Sequence, residues 1–153
     1  MKALMLGWEF PPHILGGLGT ASYGLTKGMS QQEDMEILFV IPKPWGDEDQ
    51  SFLKIIGCNN TPIAWRDVDW DTVNSRLGRF MDPHDYYKMR DNIYADFNYM
   101  NVNDFGCLEF SGRYPTNILE ETNNYSIVTG VIGRSFDYDI IHAHDWLTYS
   151  AGL

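Results

Sequence analysis

Cysteine, basic charge and long apolar runs are all scarce in this chain. Its two cysteines, Cys58 and Cys107, lie far apart and neither belongs to a CxxC pair. That excludes a disulfide scaffold and a thiolate zinc knuckle, and a reduced, cytoplasmic setting is expected. Lysine and arginine number 11 against 21 acidic residues, a formal net charge of −10. Such a surface repels phosphate backbones and anionic lipid heads, so neither nucleic acid nor membrane is an expected partner. The apolar run Ala3–Leu6 stops at Gly7-Trp8-Glu9. It is too short for a signal-peptide core, and no other segment approaches a membrane span. Internal repeats and low-complexity stretches are missing too. What is left is 153 residues, 44% hydrophobic and 21% charged, enough for one globular domain with a real core.

Within that domain the apolar patterning alternates between strand and helix. Lys2–Leu6 fits a short, fully buried parallel strand bounded by glycine. Pro11 and Pro12 force an extended loop, and Gly16-Gly17-Leu18-Gly19-Thr20 opens a helical pattern. Leu18, Ala21, Leu25 and Met29 recur at spacings of three and four and predict the buried face of that helix. Met35–Ile41, closed by Pro42, is a second strand, completing a βαβ unit with a right-handed crossover. A third strand is expected at Phe52–Ile56, a helix from Asp82-Pro83 to about Phe97, and another from about Thr116 to Ser135. The latter carries a stripe of Ile118, Thr122, Tyr125, Val128, Thr129 and Ile132, weakened near its end by Gly130 and Gly133. The stretch from about 58 to 115 reads as an irregular insert. It is rich in rings, including Trp65, Trp70, Tyr86 and Tyr94. Rings stack on sugar faces, but half of these stand at helical spacing, which favours core.

Two stretches carry candidate chemistry. Tyr138-Asp-Ile-Ile-His-Ala-His-Asp-Trp146 reads as a buried strand that turns polar and aromatic at its C-terminal end. In open α/β sheets ligands collect outside the carboxyl ends of the strands, so His142, His144, Asp145 and Trp146 are site candidates. Residues two apart on a strand share a face, which puts His142 beside His144. Three adjacent ligands on a strand do not surround a metal well, so a zinc site there is not expected, and Asp145 suits the N-cap of a helix starting at Trp146. The glycine turn admits three readings. Glycine serves close strand-to-helix packing, or a dinucleotide, or a cradle of backbone amides for phosphate or sugar hydroxyls. GxGxxG counted from Gly17 meets Ser22 at its third glycine, and the second strand ends Val40-Ile41-Pro42-Lys43 without a ribose-binding acid. A nicotinamide site is therefore disfavoured.

The opening Met1-Lys-Ala-Leu-Met-Leu-Gly-Trp-Glu-Phe-Pro-Pro-His-Ile-Leu-Gly-Gly-Leu-Gly19 resembles that of retaining glycosyltransferases of the glycogen/starch synthase kind. His142-Ala-His-Asp-Trp146 is similar to the HxHDW signature of the same group, in the same order along the chain. The resemblance implies a GT-B enzyme, two Rossmann-like domains with the active site in the cleft between them. This chain would be a partial N-terminal, acceptor-side domain spanning residues 1–153, a truncated half of that architecture. The implied reaction moves a glucosyl unit from a nucleotide sugar, ADP-glucose or UDP-glucose, to an α-glucan with retention and without metal or other cofactor. Gly16 and Gly17 would then sit by the donor's phosphates and sugar, and His144 at the transferred sugar, with His142, Asp145 and Trp146 in support. One departure leaves the donor base open: ADP-glucose synthases of the group carry lysine two residues before Gly-Gly, where this chain has Ile14. Alternatives are a related enzyme with another acceptor, or a non-catalytic sugar-binding or assembly module. As a fragment the chain is expected to be inactive alone. It is also expected to self-associate, because the strand at Asp139–His142 would lie beside Lys2–Leu6 with its far edge open.

Overall fold

The computed structural model describes residues 1–63, 103 and 105–153. Four strands among them, β1 (Lys2–Leu6), β2 (Glu36–Ile41), β3 (Lys54–Gly57) and β4 (Ile140–Ala143), form one sheet in the order β3-β2-β1-β4, parallel throughout. In register, Leu4 lies between Leu38 and Ile141, and Met5 between Phe39 and His142. The helices are α1 (Gly17–Met29), α2 (Ile118–Ser135) and the single turn α3 (Trp146–Tyr149). Alternating residues of the buried strands feed two cores, as period-two geometry requires. On one face Leu4, Leu6, Leu38 and Val40 meet Tyr125, Val128 and Ile132 of α2. On the other, Ala3, Met5, Ile37 and Phe39 pack with Phe10, Leu53 and Ile55, flanked by Tyr23 and Met29 of α1. Helices thus cover both faces of a Rossmann-like α/β sheet.

The expected strands are present with small shifts. β3 starts two residues later than predicted because Phe52 and Leu53 belong to a turn. Asp49 accepts the Ser51 amide at 3.1 Å, and the Gln50 side chain accepts the Ile55 amide at 2.9 Å. α2 keeps its predicted stripe, with Tyr125, Val128, Thr129 and Ile132 all buried, and runs to Ser135 through both glycines. At Gly133 an added β-carbon would lie 3.7 Å from Leu4 Cδ2, an ordinary contact, so close helix–sheet approach does not require glycine there. Glu121, also buried on α2, holds the 111–114 loop by accepting the Ser111 amide and hydroxyl at 2.9 and 3.0 Å. In the described parts of 58–115 the regular element is a 3-10 turn at Cys58–Asn60. The helix expected from Asp82 and the rings from Trp65 to Tyr99 lie outside the described residues.

The face of α1 needs correction. Its buried residues are Gly19, Ser22 and Thr26, whereas Leu25 is 40% exposed and Ala21 faces solvent. The helix lies close on the sheet through small side chains, and Leu18, Tyr23 and Met29 fill its flanks. Thr26 satisfies its buried hydroxyl by donating back to the Ser22 carbonyl at 2.8 Å. Cys58 and Cys107 are free and buried. Among the described residues no helix is long and apolar enough to cross a membrane.

Candidate functional site

Chain direction places the site. From β1 the connection runs through α1 to β2 and on to β3 on one side, while β4 joins on the other side of β1. The order reverses between β1 and β4, and at such a switch point a crevice opens at the carboxyl ends of the strands. The loop after β1 carries the glycine turn, and the loop after β4 carries His144-Asp145-Trp146.

At the end of β4 the His144 amide donates to the Leu6 carbonyl at 3.1 Å, carrying the ladder one residue past the strand. His142 and His144 lie on one face as expected, with ring centroids 4.7 Å apart. The His144 ring also lies 5.5 Å from that of Phe39, and its Nδ1 is 3.4 Å from Ser22 Oγ on α1. Its Nε2 is buried and has no hydrogen-bond partner among the described residues. Burial, with a smaller effect from His142, pushes the His144 pKa down to about 4, so the ring is neutral near pH 7. A neutral imidazole with Nε2 uncommitted keeps the capacity for one further hydrogen bond at this buried atom.

Asp145 is the N-cap of α3. Its Oδ1 accepts the Leu147 amide at 3.0 Å, and its own amide donates to Thr148 Oγ1 at 3.3 Å. Its pKa is raised, chiefly by burial, and the negative charge of Glu9 adds to this. Trp146 is 56% exposed beside it. Among the described residues no cluster of three His, Cys, Asp or Glu is placed to hold a metal ion.

The glycine turn is built around a residue that sequence reasoning missed. Glu9 is 5% exposed, yet its carboxylate accepts the Leu15 amide at 2.8 Å and the Gly19 amide at 3.0 Å. Gly16, in extended conformation, is the N-cap of α1 without a side-chain cap of its own, so Glu9 supplies the missing acceptor from β1's loop. A lone carboxylate between Trp8 and Phe10, in an otherwise apolar stretch, was the available signal: once its neighbours are buried it must be satisfied. Gly19 is tightly enclosed, since a β-carbon there would lie 2.2 Å from Ile14 Cγ2 and 3.2 Å from Glu9 Cγ. Gly17 faces open space, with nothing among the described residues within 4 Å of an added β-carbon. Ile14, at the position where lysine was expected, therefore turns its side chain in over Gly19.

Ser22 was missed as well, hidden on a helix face predicted to be apolar. The 111–114 loop closes another side: Trp8 donates its indole N–H to the Arg113 carbonyl at 3.0 Å. Next to it the Tyr114 hydroxyl is pushed up to about 12 by burial and by the charges of Glu9 and Asp145. Glu9 thus lies within electrostatic reach of both motifs. On the outer rim His13 Nε2 and Asp47 Oδ1 pair at 2.8 Å, and the His13 and Trp45 rings lie 5.0 Å apart.

The glycine turn and the histidine-rich strand end thus meet at the switch point of a Rossmann-like parallel sheet. The starch synthase catalytic domain family matches residues 2–153, and the chain belongs to it. Among curated proteins, a glycogen synthase of Fusobacterium nucleatum subsp. nucleatum is 27% identical over 157 residues. That match covers 95% of this chain and 29% of the relative, so the chain spans less than a third of that protein's length. No solved structure matches the chain.

Proposed function

We propose that this chain is the N-terminal, acceptor-side part of a retaining glucosyltransferase that extends an α-glucan from ADP-glucose or UDP-glucose in the cytoplasm. The observation that carries the reading is the meeting of two motifs at one switch point. The glycine turn leads into α1, whose Ser22 reaches His144 at the end of β4. Family membership and the similarity to a glycogen synthase support the reaction class.

In this reading Gly16 and Gly17 let the donor approach the backbone at the start of α1. There the helix dipole and open space over Gly17 suit a phosphate or sugar hydroxyl. His144, neutral and with Nε2 uncommitted, donates or accepts one hydrogen bond at the transferred sugar and so orients it. His142 helps keep that ring in place through a tilted ring contact, and Asp145 and Trp146 set the exit of β4. No metal is assigned a part in the chemistry. With Ile14 packed over Gly19, the side chain at the expected lysine position brings no charge to the donor, so the choice between adenine and uracil nucleotides falls to other residues.

The test is an assay of the intact protein with each labelled nucleotide sugar and a glycogen primer, with the product linkage read by NMR. Transfer giving α-linked glucose is expected. No incorporation from either donor, or a β-linked product, overturns the proposal.

A further inference from the structure

Glu9 bonds the glycine-turn arm of the site at two points, and its role in the proposed reaction is so far unassigned. We infer that Glu9 is a positioning residue: its buried carboxylate sets the conformation of the Gly16-Gly17 turn and the first turn of α1, and thereby the donor's seat. The inference rests on the glucosyltransferase reading for the identity of the ligand, but not for the positioning itself.

The geometry is specific. One carboxylate oxygen takes the Leu15 amide on the near side of the turn, and the other takes the Gly19 amide on the far side, at 2.8 and 3.0 Å. The two bonds staple the ends of the segment that contains Gly16 and Gly17. An added β-carbon on Gly16 would lie 4.0 Å from Glu9 Oε1, so the staple runs directly beneath the turn. Glu9 is itself 5% exposed, and its sequence neighbours Trp8 and Phe10, at 2% and 1%, anchor the backbone that carries it. With Leu15 and Gly19 engaged, the Gly16, Gly17 and Leu18 amides between them are not taken by Glu9. The choice of carboxylate over amide follows from the bonding: two N–H groups need two acceptors, and a glutamine offers one acceptor and one donor.

Glu9→Gln keeps the shape of the side chain and removes one acceptor, so it tests the inference without opening a cavity. In the intact protein, amide exchange read by mass spectrometry on peptides covering residues 14–19 should speed up by about tenfold, while peptides from β1 and β2 keep their protection. Steady-state kinetics should show the donor KM raised by about tenfold with the acceptor KM changed less than about twofold. Unchanged exchange at the turn sinks the staple. Faster exchange with an unaltered donor KM, or equal losses for donor and acceptor alongside deprotection of β1, would mean that Glu9 braces the fold and does nothing for the donor. A wild-type protein that transfers from neither nucleotide sugar overturns the proposed function instead, and the exchange measurement still decides whether Glu9 holds the turn.

Discussion

His144 combines a half-buried ring, a neighbour on α1 and an uncommitted Nε2, and its contribution can be isolated. In the intact enzyme His144→Ala should lower turnover at least about 100-fold while the protein stays folded, the size of loss seen when a positioned polar group leaves a reacting centre. Near-normal turnover in a well-folded variant returns His144 to a packing role. His142→Ala should cost less, because His142 is exposed and acts through its neighbour. The titration of His144 gives a second, independent check. Its folded pKa of about 4 lies below the ordinary 6.5. Between those values the unfolded chain takes up a proton that the folded ring refuses. The stability tied to a neutral His144 is therefore complete above about pH 6.5 and is lost as pH falls towards 4. Urea unfolding at pH 7 and pH 4.5 should show a larger loss for the wild type than for His144→Asn. Equal losses in both would mean that burial does not hold the ring neutral.

At the scale of elements, α1 separates two kinds of glycine. Gly17→Val enters open space on a helical position and should leave the melting temperature nearly unchanged while raising the donor's dissociation constant. Gly19→Ala meets Ile14 and Glu9, and forcing them apart should cost about 1–3 kcal/mol of stability. Calorimetry on both variants, with donor titration, checks the contrast. A Gly17→Val protein that melts early but binds normally per folded molecule would make that glycine a packing residue. These positions also show what the sequence displays and what it conceals. β1 and β2 announce themselves as short continuous apolar runs, and α2 because its apolar side chains repeat with the period of a helix. α1 misleads the same reasoning: its sheet-facing positions are glycine, serine and threonine, chosen for close approach, and its leucine at position 25 points outward. The HxHDW strand end was legible because polarity appears where an apolar run stops. β4 is partly exposed rather than buried as expected, because it pairs with β1 on one side alone among the described residues. Glu9 was not, because its partners are backbone amides six and ten residues away, and no side-chain pattern records them.

On the scale of the whole molecule, the sheet formed by the described residues is closed on neither side. Among the described residues β4 pairs with β1 alone, and Ile140, at its start, is 48% exposed. The His144 amide donates to the Leu6 carbonyl, so by strand alternation the Ile140 and His142 amides also face β1 and those of Ile141 and Ala143 point away from it. A second copy related by a two-fold axis can pair there, strand against antiparallel strand. We therefore expect the 153-residue chain on its own to dimerise at micromolar concentration through β4, and to lack transferase activity, since it spans 29% of the glycogen synthase it resembles. Charge sets the conditions. Each copy carries a formal −10, so bringing two together is opposed by long-range repulsion that salt screens. Sedimentation velocity should accordingly show the dimer strengthening as sodium chloride rises from about 20 to 300 mM, the range over which the screening length drops below about 10 Å. Ile140→Lys, which places a charge on the exposed edge without emptying a core position, should return the chain to monomer at every salt concentration. A monomeric wild type in high salt, or a dimer indifferent to Ile140→Lys, would rule out β4 as the contact, and glucosyl transfer by the isolated chain would contradict its dependence on a second domain.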